Sequence, residues 1–290
     1  MKSKYAYVID MGGTFLKGAI IDHEQNLLTP VYQVEACSSQ DMEQFLKGFH
    51  AMFDLLEEEK NKQQLEIAFL AISSPGPFDY ASGVSYMKHK YACLYEKNLK
   101  ELLHQHFHFT FPIYFENDVI SFLYGASSLA TDIENQNVCA ITLGTGLGYV
   151  LMKKGKIEKN ALGSPLEVLY NVPYEDGIME DYFSGRGLLS FYLRLGGKNA
   201  SSAYDVFNLA NQKDKLALVA FSQFGDHFGK ALLPLMLENE VSDIYLGGQV
   251  SKSFMYFEKA LKNILVGIHF HVSEDTTSGA LKGLAKEFFK

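Results

Sequence analysis

One design occurs twice in this chain, and it limits what the chain can fold into. Residues 5–21, Tyr-Ala-Tyr-Val-Ile-Asp-Met-Gly-Gly-Thr-Phe-Leu-Lys-Gly-Ala-Ile-Ile, form an apolar run that stops at Asp10. The run turns through Gly12, Gly13 and Thr14 and goes back out as a second apolar run, Gly18 to Ile21. Residues 138–152, Val-Cys-Ala-Ile-Thr-Leu-Gly-Thr-Gly-Leu-Gly-Tyr-Val-Leu-Met, repeat it around Gly144, Thr145, Gly146 and Gly148. Two strands joined by a tight glycine turn make a hairpin, and internal repetition is itself a fold signal.

The first turn has two readings. In one, it is an ordinary hairpin whose aspartate caps the turn. In the other, the glycines leave backbone N–H groups open to a phosphate, while Thr14 and Lys17 add a hydroxyl and a cation. A bare carboxylate at the end of a buried strand is costly, so Asp10 would then face Mg²⁺ through water. The second copy favours this reading, because two such turns facing each other across a cleft can hold a triphosphate from both sides. Neither turn is a Walker A loop. Neither is a dinucleotide fingerprint, since each leads into a strand and not a helix.

Between and beyond the hairpins the pattern alternates. Ser38 or Ser39 can cap a helix through about residue 60, with Met42, Phe45, Leu46, Phe49, Met52, Phe53 and Leu56 at helical spacing. Residues 65–72 read as a strand ending at Ser73-Ser-Pro-Gly-Pro77, and residues 80–97 as an irregular stretch gathering Tyr86, His89, Lys90, Tyr91 and Tyr95. A helix over 98–107 and a strand over 112–115 follow, then Glu116-Asn117-Asp118 and a helix over 119–129, with Asp118 near its N-cap. His104, His106 and His108 read as exposed helix-end histidines, because no carboxylate or cysteine joins them at ligand spacing. Residues 131–136 are a polar linker. The second half predicts helices over 204–209 and 214–238. The longer of these has Leu216, Val219, Phe221, Phe224, Phe228, Leu232, Leu233, Leu235 and Met236 on a wide buried face. A strand over 243–246 leads into Gly247-Gly248. A helix over 254–264 capped by Ser251, a strand over 266–272 and a helix opening at Ser278 complete the chain.

A net charge of −8, with arginine only at Arg186 and Arg194, predicts no nucleic-acid partner. No apolar stretch is long enough to span a bilayer, and Met1-Lys-Ser-Lys leaves no room for a signal peptide before the first strand. Three scattered cysteines, Cys37, Cys93 and Cys139, fit a cytoplasmic protein with reduced thiols.

Six segments, spread along nearly the whole chain, resemble the motifs of the ROK family, which contains sugar kinases and sugar-responsive repressors on the actin-like (ribonuclease H-like) ATPase fold. Asp10-Met-Gly-Gly-Thr-Phe-Leu-Lys17 and Thr142-Leu-Gly-Thr-Gly-Leu-Gly148 are similar to its two phosphate motifs. Ser74-Pro-Gly-Pro-Phe-Asp79, Glu116-Asn-Asp118 and Glu180-Asp-Tyr-Phe-Ser-Gly-Arg-Gly187 resemble its Pro-Gly-Pro loop, its catalytic Asn-Asp and its Glu-x-x-x-Ser-Gly segment. Leu246-Gly-Gly-Gln-Val-Ser251 resembles its adenosine motif. The resemblance implies an α/β, two-lobed fold with duplicated βββαβα lobes and a central cleft. It divides the chain into an N-terminal lobe over 1–118, joined by a returning helix at about 275–290, and a C-terminal lobe over 119–274. It also implies ATP-dependent phosphorylation of a sugar hydroxyl (hexose, N-acetylhexosamine or glycoside), with Asp118 as general base. Gly12, Gly13, Thr14, Lys17, Gly144, Thr145 and Gly146 would take the ATP phosphates, Gly247 and Gly248 the adenosine, and Asp10 the Mg²⁺. Gly76, Asn117, Asp118, Glu167 and Tyr170 would take the sugar, and family habit implies a homodimer.

The chain departs from the family's zinc-binding members over 153–187. Leu166-Glu-Val-Leu-Tyr170 retains the glutamate but has Tyr170 where those members have histidine. Their cysteine cluster has no counterpart after Cys139, so no zinc is expected. Two other classes stay open. One is a sugar-sensing regulator without turnover, although the family's repressors carry an N-terminal DNA-binding extension, which is not expected here. The other is a degenerate nucleotide-binding protein.

Overall fold

The computed structural model describes residues 5–289 other than 129 and 131. The expectation about residues 1–4, the expected helix end at Leu129 and the linker start at Thr131 fall outside the described residues. Two five-stranded sheets carry the same strand order. In the first, β1 (Tyr5–Met11) and β2 (Phe15–Asp22) form the expected hairpin, β3 (Tyr32–Glu35) extends it antiparallel, and α1 (Met42–Gln63) leads into β4 (Ile67–Ser74), parallel to β1. A two-residue-stranded hairpin, β5 (Phe78–Asp79) and β6 (Val84–Ser85), precedes α2 (Leu99–Phe107). β7 (Ile113–Asn117) then pairs parallel with β4 and runs into α3 (Asp118–Ala126).

The second sheet repeats the plan. β8 (Asn137–Leu143) and β9 (Leu147–Lys153) make the hairpin, and β10 (Lys156–Ile157) is the third antiparallel strand. After the small hairpin β11 (Pro173–Tyr174) and β12 (Gly177–Ile178) come α4 (Met179–Tyr182), α5 (Gly185–Arg194), α6 (Ala203–Asn211) and α7 (Lys215–Glu238). β13 (Asp243–Gly247) pairs parallel with β8. α8 (Phe254–Ile264), β14 (His269–Val272) and α9 (Thr276–Phe288) complete the chain.

Two compact units result. The first comprises Met1–Leu129, Lys159–Leu166 and Thr277–Lys290. The second comprises Ala130–Glu158 and Glu167–Thr276. The division falls after α3, not before it, because α3 lies backbone-to-backbone on α9: a Cβ on Gly125 would stand 1.8 Å from the carbonyl oxygen of Gly279. The other face of α9 buries Leu281, Leu284 and Ala285 against Ala6, Val8, Ala19, Ile21, Phe69 and Ala71 of the first sheet. On the sheet's opposite face, α1 buries Phe45, Leu46, Phe49, Met52, Phe53 and Leu56, the stripe read from its periodicity.

Several local expectations are corrected. Asp41, not Ser38 or Ser39, caps α1, its carboxylate accepting the Gln44 N–H. Ser251 does not cap α8; its hydroxyl donates to the carbonyl of Gly247 at 2.6 Å, and a 3₁₀ turn over Val250–Ser253 intervenes. Leu216 and Val219 are exposed on α7, because the buried stripe runs through Ala217, Ala220, Phe221, Phe224, Phe228, Leu232 and Met236, leaving those two positions off it. Among the described residues, no helix is long and apolar enough to cross a membrane.

Candidate active site

The first unit gathers Asp10, the Gly12–Thr14 turn, Lys17, Gly76, Asn117 and Asp118. Strand register explains the first part. Asp10 is opposite Lys17 across the hairpin and beside Ser73 on the parallel strand. The Ser73 hydroxyl donates to Asp10 Oδ1 at 2.7 Å. Burial raises the Asp10 pKa, while Ser73 and the Lys17 charge oppose the rise. The ammonium of Lys17 donates to Thr277 Oγ1 at 2.9 Å, at the start of α9. The turn is held from behind. The Tyr91 hydroxyl donates to the Gly12 carbonyl and the Ser38 hydroxyl to that of Gly13. Gly13 and Thr14 stay exposed.

At the β7–α3 junction the helix cap is Asn117, and Asp118 is the first helical residue. Asn117 Oδ1 accepts the N–H groups of Val119 and Ile120, and its amide donates to the Tyr80 hydroxyl at 3.0 Å. Both ends of this nearly buried side chain are therefore engaged. Tyr80 in turn donates to the Ser74 carbonyl at 2.9 Å, which ties the junction to the Pro-Gly-Pro loop. Glu116, buried beside them, pairs with Lys159 at 2.6 Å and accepts the Asn117 N–H at 2.8 Å. Asp118 retains open surface, yet the protein around it withdraws it from bulk water. That desolvation is the largest cause of a pKa raised to about 6. Asp10 adds to the rise, and the Val119 N–H and the Lys90 charge oppose it. A carboxylate with that pKa is ionised at neutral pH and sits close to it, as a general base needs.

The second unit gathers Gly144, Thr145, Gly146, Glu167, Tyr170, Gly247 and Gly248. The Gly144 N–H donates to the Gly146 carbonyl at 3.0 Å, and the Gly144 carbonyl accepts the Gly185 N–H at 2.8 Å, which fixes α5 to the turn. A Cβ on Gly144 would meet nothing within 4 Å, so open space lies before it. Glu180 accepts the Leu147 N–H at 3.0 Å and lies 3.4 Å from Arg186. Gly248 has φ +88°, and a Cβ there would stand 2.3 Å from the Leu143 carbonyl oxygen. Its N–H donates to Thr276. This glycine thus has a packing cause of its own. Glu167 and Tyr170 are exposed, the latter on a loop whose backbone accepts the Glu180 N–H.

A small apolar cavity of about 130 Å³ adjoins β13 and α5. Leu188, Ala203, Tyr204, Phe207 and Val250 supply its walls, and Gln249, Lys252 and Ser253 its polar rim. Sequence reading missed it, since its walls come from three separated elements. It also missed Ser73, Tyr80 and Lys159. For Tyr91 and Lys90 the aromatic and basic cluster over 80–97 was the available signal.

The donor set fits magnesium, which keeps several waters and takes one or two carboxylates plus phosphate oxygens. Asp10 beside an open glycine turn offers that. Among the described residues, no three His, Cys, Asp or Glu side chains gather into a protein-only metal site.

A sequence model described as the ROK family matches residues 6–168, more than half of the chain. No curated protein matches it. Solved structures do. A ROK family glucokinase from Streptomyces griseus, in complex with glucose and AMPPNP, aligns over 98% of both chains with TM-score 0.77 and 18% identity. A ROK family protein from Streptococcus pneumoniae in complex with sucrose aligns over 97% of both chains with TM-score 0.76 and 16% identity. A ROK family transcriptional regulator, a homolog of the E. coli MLC protein, aligns over 98% of this chain and 78% of its own with TM-score 0.79 and 16% identity. At these identities the likeness establishes fold alone.

Proposed function

The chain belongs to the ROK family, with its actin-like ATPase fold, and from that premise we propose that it is an ATP-dependent kinase of a sugar hydroxyl. The observation that carries the proposal is Asp118, a carboxylate with pKa about 6 in the same unit as the open Gly12–Thr14 turn. The sugar oxygen attacks the γ-phosphorus, its proton passes to an Asp118 carboxylate oxygen, and the bond from the γ-phosphorus to the bridging oxygen breaks to release ADP.

Gly12, Gly13 and Thr14 are assigned to the phosphates, as are Gly144, Thr145 and Gly146, whereas the Lys17 ammonium is taken by Thr277. The apolar cavity beside Gly247 and Gly248 is assigned to the nucleoside base. Gly76, Asn117, Glu167 and Tyr170 are assigned to the sugar, Asn117 through the placement it gives Asp118. Asp10 would hold Mg²⁺, which neutralises developing phosphate charge when bound.

Sugar kinases among the structural neighbours, such as the glucokinase, support this reading, and the likeness to a regulator supports a second, sugar sensing without turnover. One experiment separates them: a panel of glucose, fructose, N-acetylhexosamines and β-glucosides with Mg·ATP, following ADP release and sugar binding. Sugar-dependent ADP release establishes the kinase. Sugar binding without it establishes the sensor.

A further inference from the structure

Lys17 is the lysine that the first hairpin supplies, but its ammonium is committed to Thr277 at 2.9 Å. A different lysine approaches the turn. Lys90 lies in the loop between the β5–β6 hairpin and α2, and its neighbour Tyr91 donates its hydroxyl to the Gly12 carbonyl. That bond anchors the loop to the phosphate turn. The Lys90 side chain then runs along the turn itself, its Cε 3.8 Å and its Cδ 3.9 Å from where a Cβ on Gly13 would stand. It has no hydrogen bond or ion pair with any described residue, and it is exposed.

We propose that Lys90 is a catalytic residue of this kinase, its ammonium contacting the γ-phosphoryl group between the Gly12–Thr14 turn and Asp118. The proposal rests on the kinase reading above. Three observations meet on this side chain: a close approach to the turn, an uncommitted ammonium and a charge felt by the Asp118 carboxylate. The γ-phosphoryl group carries charge over its three outer oxygens as it transfers, and a fixed cation there stabilises that charge. The same cation keeps Asp118 ionised. Its other charged or titratable surroundings are Asp10, whose charge raises the Asp118 pKa, and the buried Tyr80, whose own pKa responds to Asp118.

The test compares the full chain with Lys90→Met and Lys90→Arg. Three quantities are read: kcat across pH with the best sugar of the panel, the ratio of ATP to ADP affinity by calorimetry, and Tm. In Lys90→Met, kcat should fall about 10²-fold. The acid limb of its pH profile should move to higher pH, and the preference for ATP over ADP should shrink, with Tm unchanged. Lys90→Arg should keep the limb in place and recover most of kcat. An unchanged kcat and ATP/ADP ratio in Lys90→Met overturns the proposal. So does an equal loss in both variants with the limb unmoved, which is what a merely structural role gives. If the unmodified protein binds nucleotide and sugar without turnover, the kinase reading fails on its own. The ATP/ADP ratio then still decides whether Lys90 meets the γ-phosphate.

Discussion

At the scale of single residues the site is a set of carboxylates whose charges are costly to keep. Asp118 has a folded pKa of about 6, above its ordinary 3.8, mainly through desolvation. A base must be deprotonated, so kcat/KM should be flat above about pH 7 and fall as pH drops through 6. Asp118→Asn should lose at least about 10²-fold in turnover while ATP affinity holds. Near-normal turnover in that variant would remove Asp118 from the mechanism. The stability sign is opposite. A raised carboxylate pKa means the folded state favours the proton, so the associated stability is present below pH 3.8 and lost as pH rises through 6. Asp118→Asn should therefore melt no lower than the wild type at pH 7, with the gap closing in acid. Function here is placed at the expense of stability. Asp10 is raised by burial as well, and Asp10→Ala should demand far more Mg²⁺ for turnover while leaving sugar binding alone. Equal activity with and without a divalent ion would sink its assignment. How these residues meet was only partly legible. Asp10 stood out because it ends an apolar strand, whereas Asp118, near a helix N-cap, was marked by the resemblance to the family's Asn-Asp motif. Ser73 became a partner of Asp10 only through the parallel register of β1 and β4, which no local pattern encodes.

At the scale of elements, the parts legible in the sequence are those set by local periodicity. The two hairpins, the α1 stripe and the bounds of α8 follow from spacing alone. The two-residue strands carry no period. The excursion of residues 159–166 into the first unit, where Lys159 pairs with Glu116 and the Leu162 carbonyl accepts the Tyr80 N–H, is a tertiary fact with no local signature. The contact between α3 and α9 is another. It depends on glycines that look incidental in sequence: a Cβ on Gly125 would stand 1.8 Å from the Gly279 carbonyl oxygen, and one on Gly283 1.9 Å from that of Ser121. Neither neighbour is a flexible side chain, so a methyl group forces the helices apart. Gly283→Ala should cost about 1–3 kcal/mol and lower Tm by several degrees. Because α3 begins at Asp118, kcat should fall with it, more than KM for ATP rises. A Gly283→Ala protein with unchanged Tm would show that the helices slide freely.

At the scale of the molecule, the duplication read from two glycine turns is matched by the strand order of two sheets, and the part of the expected departure from the family's zinc-binding pattern that follows Leu166 lies within the second unit. There the segment after Glu167 has no thiolates. Cys139 is buried in β8, and Cys37 and Cys93 belong to the first unit. Aromatic packing and hydrogen bonds hold the segment. Tyr174 packs on Tyr182 and Phe183, with ring centroids 5.0 Å apart in both pairs, and its hydroxyl meets His227 Nδ1 at 2.9 Å. The Tyr182 hydroxyl donates to Asp176, and the Met179 N–H donates to the Val172 carbonyl at 2.8 Å. A metal clamp contributes folding free energy that a chelator removes, whereas ring contacts and hydrogen bonds are indifferent to one. Treatment with a tight zinc chelator should therefore leave Tm unchanged, and restoring Mg²⁺ alone should return full turnover. Tyr174→Ala should lower Tm, because it deletes both ring contacts and the bond to His227. Stoichiometric zinc by elemental analysis, with a fall in Tm on its removal, would show that the segment is metal-held after all. The sugar-binding role proposed for Glu167 and Tyr170 would then have to be reconsidered around metal ligands other than thiolates.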